Sequence, residues 1–385
     1  MSNKPRKDRP LRRALFTRLG RLFTGKSAHP DSGLFLLFNH AVIGGADFVH
    51  LRITRAVADL KPTVLFTLNT SPQPLAPQFA ALAHVEQPGL AIKGHTGRYY
   101  RIGQLAARIN RCDRPVVLGG HSRLFYELLP LLRRDARCVD LVHAMATLEH
   151  LSLPYAHLLT QRVFISAKVR DEYAALYDRA GLDPALKSRM TVIENCVDVP
   201  EAAPAKDAGP LRVLFVGRGA PEKRLHLVGR IAAECRRRGL PVEFDLVGDC
   251  EPVVDAADRP ACRFAGMLSG PDAIAPFYDR AQVLLLTSSM EGFPLVVQEA
   301  MARAVVPVCT DVGGMARHVL PGSTGVLLPP NDEAAVVTAG VQALTELATD
   351  RARLARLAAG AFARAAEHFG PRQFLESWRR VLARG

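Results

Sequence analysis

Short apolar runs recur through the chain, each followed by a longer helical or polar stretch. In the first half they cover 34–38, 63–68, 116–118, 139–143 and 163–166, with 191–193 closing the set. In the second half they cover 213–216, 242–247, 262–265, 283–286 and 325–328, and Val305, Val306 and Val308 begin another. Runs of this length without polar alternation read as strands buried on both faces. The helical stretches between them supply the crossovers that parallel neighbours need. The expected fold class is α/β, with two sets of strands forming two parallel, doubly wound sheets. A length of 385 residues suits two such cores.

Between the sets, 200–210 is rich in Pro and Ala with mixed charge and reads as a linker. A Gly370-Pro371 break precedes a last helix over 373–383, which is free to turn and pack back on the first half. The expected organisation is a basic tail over 1–30, a first domain over 31–200, a linker over 201–210, a second domain over 211–369 and a crossover helix over 370–385.

At 48% apolar and 23% charged the chain is of ordinary globular composition, and no apolar run approaches the ~20 residues of a membrane span. The basic N-terminus lacks the apolar core of a secretory signal. Seven cysteines, odd in number and without a Cys-x-x-Cys pair, read as reduced thiols in a cytoplasmic protein and count against a structural zinc site. The net charge of +13 favours polyanionic partners. Much of it lies in the first 27 residues, with nine Lys or Arg against Asp8 alone. Leu11, Leu15, Leu19, Leu22 and Phe23 fall there near helical spacing. Residues 4–26 thus fit a basic amphipathic helix on an anionic membrane face, or a solvated tail. Nucleic acid is not expected as a partner.

The most informative stretch is 287–311, which reads as strand end, loop, helix and strand. Ser288, Ser289 and Gly292 loosen the loop, Pro294 suits the first helical position, and a helix follows over 295–303. The free amides of such a helix start, here Phe293 to Val296 with Leu295 between, make an anion site. Glu291 lies just ahead of it and Glu299 more than a turn inside. A carboxylate beside an anion site suits a ligand with both phosphates and hydroxyls, as a sugar nucleotide has. At the opening of the second set, Arg218 follows a strand and Lys223 comes where a helix begins, two cations able to neutralise a pyrophosphate.

The first half is harder to read. Gly44 and Gly45 follow its first strand, as a plain turn or a close approach to a ligand. His143 ends a strand, where ligands of open α/β sheets bind. His95, Arg98, Tyr99, Tyr100 and Arg101 combine cations with aromatic faces, as an acceptor site or as a helix start with a solvated face.

Together these motifs resemble the retaining glycosyltransferases of family 4, whose GT-B fold has two facing Rossmann-like domains. Glu291 to Glu299 resembles that family's Glu-x7-Glu signature, and Arg218 and Lys223 its phosphate-binding pair. IENCVDVP at 193–200, LVGDCEP at 246–252, RFAGML at 263–268 and the run over 311–332 resemble further family segments in order. The resemblance spans roughly 31–385, strongest over 190–335. It implies that Glu299 holds the ribose and Glu291 the transferred sugar. Arg218, Lys223 and the amides over Phe293 to Val296 would bind the diphosphate, with Gly292 and Pro294 in the same donor-binding loop. Met267 would lie in a segment lining the base, His143 beside the donor sugar and Gly45 near the phosphates. The implied donor is a UDP- or GDP-type sugar. The implied acceptor is a glycan or lipid-linked acceptor, in envelope polysaccharide or lipopolysaccharide assembly at the inner membrane face. No cofactor is implied, and the chain offers no Asp-x-Asp pair for a metal. Two positions depart from the pattern: Arg317 stands where Glu is common and Arg224 where Gly is frequent. A sugar-nucleotide epimerase, a phosphorylase, or a silent module binding membrane or nucleic acid are the rival readings.

Overall fold

The computed structural model describes residues 10–22, 30–68, 71–87, 95–145, 149–268 and 270–383. The chain divides into two compact units. The first runs to Ile193 and takes back the chain from Leu375, and the second is Glu194–Phe374.

The first unit is built on seven parallel strands in the order β3-β2-β1-β4-β5-β6-β7. They are β1 (Leu34–Phe38), β2 (Thr63–Phe66), β3 (His84–Glu86), β4 (Val116–Gly119), β5 (Arg137–Val142), β6 (Gln161–Phe164) and β7 (Met190–Val192). All five residues of β1 are buried, because a central parallel strand has helices on both its faces. The second unit has six parallel strands in the order β10-β9-β8-β11-β12-β13. These are β8 (Leu211–Val216), β9 (Val242–Val247), β10 (Arg263–Gly266), β11 (Val283–Leu286), β12 (Val306–Thr310) and β13 (Val326–Leu328). Both orders reverse direction beside the first strand of the set, between β1 and β4 and between β8 and β11. Helices leave opposite faces there, and a crevice opens at the carboxyl ends of those strands.

The basic segment folds as a helix, Pro10–Leu22, against the helix His95–Asn110. The two backbones touch. A methyl group on Gly20 would lie 2.0 Å from the Tyr100 carbonyl oxygen, and one on Gly103 2.2 Å from that of Thr17. Phe16 packs on the core, while Leu15 and Leu22 remain 54% and 72% exposed. The sequence offered a helix on a membrane face or a disordered, solvated tail, and Pro10–Leu22 is an ordered helix. The structure gives it one packed face and one exposed face. Residues 1–9 and 23–29 lie outside the described residues.

Within the first unit, Arg162 and Asp140 face each other across β5 and β6 and are fully buried. Nε lies 2.8 Å from Oδ2, close in distance but poorly aligned for a hydrogen bond. The guanidinium instead lies over the rings of Tyr173 and Tyr177, at 5.1 and 5.5 Å. Tyr126 Oη donates to Asp140 Oδ1 at 3.1 Å. The returning segment belongs to the same unit. Arg137 donates to the carbonyls of Val381 and Ala383, Arg379 pairs with Asp59, and Trp378 is fully buried.

Candidate functional site

The carboxyl ends of β8 and β11 bring the second unit's candidates together. After β8 the chain passes through exposed Arg218 into a tight turn, Pro221–Lys223, and then into the helix Leu225–Arg237. After β11 it runs through buried Thr287 and Ser288 to Glu291 and the helix Leu295–Ala302. Lys223 Nζ donates to Glu291 Oε1 at 2.5 Å, and Ser288 Oγ donates to the same oxygen at 2.6 Å. The side chains of Lys223 and Glu291 are 17% and 9% exposed. Two residues that the sequence assigns to separate parts of a ligand thus form one ion pair.

Pro294 falls one position earlier than expected. It is the extended residue before the helix (φ −71°, ψ 142°) and not its first member. No side chain caps this helix, so its first amides keep their donor capacity. Phe293 turns its ring inward onto His318 and Phe369, at 4.8 and 5.5 Å, and offers a ligand only its backbone. Gly313 lies against the loop in the left-handed region (φ 62°), where a methyl group would come 2.0 Å from the Glu291 carbonyl oxygen. Gly314 N donates to the Gly292 carbonyl at 2.6 Å. The loop is therefore hydrogen-bonded at Gly292 and closely backed at Glu291.

Glu299 is half-buried, and Tyr278 Oη donates to its Oε2 at 2.8 Å. Burial and the neighbouring carboxylate hold the phenol well above its usual range, so it stays protonated and acts as a donor. Tyr278 was not singled out from the sequence. The available signal was a buried tyrosine inside a predicted helix, whose hydroxyl needs a partner. Met267, after β10, is 60% exposed. Arg317, the cation at a position where the family pattern has Glu, pairs with Glu194 at 3.1 Å.

In the first unit, His143 follows β5 and its Nε2 lies 3.0 Å from His50 Nε2. The His50 ring stacks on Phe38 with centroids 4.1 Å apart. Burial pushes His143 down to about 3, with His121 adding to the shift. Burial, then His143, His40 and His121, push His50 well below its usual value. Both imidazoles are neutral at neutral pH, so one Nε2 donates and the other accepts. His50 Nδ1 is buried without a partner, and an orphaned N–H costs more there than an orphaned lone pair. The network therefore assigns the proton of His50 to Nε2 and leaves His143 with a free donor at Nδ1. Among the described residues no group of three or more His, Cys, Asp or Glu is arranged to hold a metal.

Gly44 is the extended residue that precedes the helix Gly45–Ala56 (φ −168°), and Gly45 is exposed. The 95–101 motif resolves as a helix start. Tyr99 is buried in the core and Arg98 pairs with Glu127.

Residues 210–346 match the family described as "Glycosyl transferases group 1". The chain is 32% identical over 203 residues to the glycogen synthase of Mycobacterium tuberculosis H37Rv, covering 50% of this chain and 47% of that protein. It is 31% identical over 295 residues to the D-inositol 3-phosphate glycosyltransferase of Rhodococcus erythropolis, covering 65% of this chain and 64% of that protein. The chain thus spans about half the length of the first of these relatives and under two thirds of the second. Among solved structures, Anabaena Alr3699/HepE in complex with UDP and glucose superposes with a TM-score of 0.70 at 17% identity, covering 91% of this chain and 99% of that one. That likeness is one of fold.

Proposed function

We propose, from a second unit that carries a glycosyl transferases group 1 domain over 210–346, that the chain is a retaining glycosyltransferase. It moves a sugar from a nucleoside-diphosphate donor, of UDP or GDP type, to a glycan or lipid-linked acceptor. The observation that carries this reading is the Lys223–Glu291 pair at the carboxyl ends of β8 and β11, beside an uncapped helix start.

The leaving group is a nucleoside diphosphate, so the main task is to hold the negative charge that develops on it. Lys223, Arg218 and the first amides of Leu295–Ala302 supply fixed positive charge and donors. They do this neutralising without a metal ion. As a diphosphate engages Lys223, Glu291 is left with Ser288 and is free to accept hydrogen bonds from hydroxyls of the transferred sugar. That sugar passes through an oxocarbenium-like state. The diphosphate leaves and the acceptor oxygen arrives on one face of that sugar, which retains configuration without a carboxylate nucleophile. Glu299, with one oxygen held by Tyr278, accepts from the ribose.

A thermal-shift series with UDP, GDP, ADP and CMP tests the donor assignment. A ligand that binds only the native state must raise the melting temperature. One diphosphate nucleotide should raise it, and Glu299→Ala should lose about tenfold or more in affinity for that nucleotide, as loss of a charged hydrogen bond does. Equal affinity of Glu299→Ala would remove the ribose role.

The exposed face of Pro10–Leu22 favours a place at the cytoplasmic face of a membrane, where envelope glycans are assembled. Leu15, Arg18 and Leu22 share that face, two large apolar groups flanking a cation. Leu15→Glu with Leu22→Glu leaves the packed face intact and should weaken binding to anionic vesicles about tenfold or more, since each leucine is worth about 1.5–3 kcal/mol when buried. Vesicle binding equal to wild type would exclude this surface.

A further inference from the structure

The position after Lys223 is occupied by an arginine that the reading above leaves without a task. Arg224 stands in the left-handed region, with φ 47° and ψ 48°, at the start of the helix Leu225–Arg237. A residue with a side chain adopts that conformation at a cost, and glycine adopts it freely. The strain is offset by what the side chain does. Arg224 is 9% exposed. Its Nε donates to the Thr287 carbonyl at 2.6 Å and its Nη2 to the Ser288 carbonyl at 3.1 Å. The buried guanidinium is thus met by two consecutive carbonyls.

The contacts run both ways. Thr287 Oγ1 donates to the carbonyls of Lys223 and Arg224, at 3.1 and 3.0 Å. Ser289 N donates to the Glu222 carbonyl at 2.8 Å. The peptide joining Ser288 to Ser289 is therefore held at both ends by residues 222–224, its carbonyl by Arg224 and its amide by Glu222. Thr310 Oγ1 closes on the Ser288 carbonyl from the other side at 2.6 Å. Glu291 lies two residues beyond this clamped peptide, and Lys223 one residue before the arginine that clamps it.

We infer that Arg224 is a positioning residue that holds the Lys223 turn and the Glu291 loop in one fixed register, so that cation and carboxylate meet a donor already assembled. A planar fork of donors suits this task, because it reaches two adjacent carbonyls at once and stays charged. A lysine would offer a single point and a glycine none. The inference rests on the donor role given to Lys223 and Glu291.

The test compares wild type, Arg224→Gly and Arg224→Lys by hydrogen exchange over 287–293, donor kinetics and melting temperature. Hydrogen exchange needs no substrate and reports local opening directly. Arg224→Gly removes the strain together with the clamp, so its melting temperature should stay near wild type while exchange over 287–293 accelerates about tenfold. Turnover per folded molecule should fall about 10–100-fold, as misplacement of reacting groups does. Arg224→Lys should lie between the two on both measures. Unchanged exchange in Arg224→Gly would overturn the clamp. Faster exchange with normal turnover would overturn its functional role. A merely structural arginine would lower the melting temperature of both variants and leave turnover per folded molecule intact, which would also overturn the inference. Absence of turnover in wild type with every donor would instead overturn the transferase reading, and exchange would then decide the clamp alone.

Discussion

Lys223→Ala is expected to lower turnover by about 10²–10³-fold, the cost of removing one preorganised donor from a site that stabilises developing negative charge. Two losses combine. The cation that holds the leaving diphosphate is gone, and Glu291 keeps its own charge with Ser288 as its remaining partner. An unneutralised carboxylate beside a diphosphate repels it, so donor affinity should fall as well. Adding Glu291→Gln should recover part of that affinity and none of the turnover. Steady-state kinetics over a range of donor concentrations separates the two effects, and a melting curve on the same samples shows that the fold persists. Normal turnover in Lys223→Ala would end the diphosphate assignment.

Arg162→Met is expected to destabilise the protein by about 3–5 kcal/mol, the cost of breaking a buried ion pair from one side. Asp140 is fully buried and its other described contact is the Tyr126 hydroxyl. Arg162, opposite it across β5 and β6, is the largest influence favouring its charge, and His121 adds to it. The effect depends on pH in a definite direction. Burial already raises the Asp140 carboxyl, and Arg162 is the largest influence pulling it back. Without Arg162 the folded-state value rises further above the unfolded one. The variant's deficit should then be smallest below the ordinary carboxylate range, where Asp140 is protonated in both states. It should grow as pH rises through the raised folded-state value. Urea unfolding at several pH values measures this, and Arg162→Met combined with Asp140→Leu should recover most of the loss. A flat pH profile for the single variant would show that Asp140 does not carry the penalty.

Most strands were legible because a parallel strand under two layers of helix has to be apolar at nearly every position. β1, β9 and β11 lie where their apolar runs place them. β3 was missed for the converse reason. It is a three-residue edge strand, His84–Glu86, half-buried throughout and polar at both ends. Strand order is not written in any local pattern. It follows from crossovers that the whole sheet must accommodate. Local spacing also placed Lys223 and Glu291 at loop ends, yet not against each other, because the pair forms across 68 residues of sequence. Tyr278, His50 and the clamp of Arg224 escaped the sequence in the same way. Each is defined by a partner that only the folded chain brings near. Of the two readings of the cluster at 95–101, an acceptor site or a helix start, the folded chain shows the helix start, in which Tyr99 serves the core and Arg98 serves Glu127.

The return of the chain to the first unit has a consequence for synthesis. A ribosome delivers a protein from its N-terminus at about 5–20 residues per second, and domains tend to fold as they emerge. Here the first unit lacks Trp378, Arg379 and the carbonyls that Arg137 grips until all of Glu194–Phe374 has been made. The unit begun first is finished last. The nascent chain must carry an incomplete sheet packing through the whole birth of the second unit, and that interval is when it is most open to chaperones and proteases.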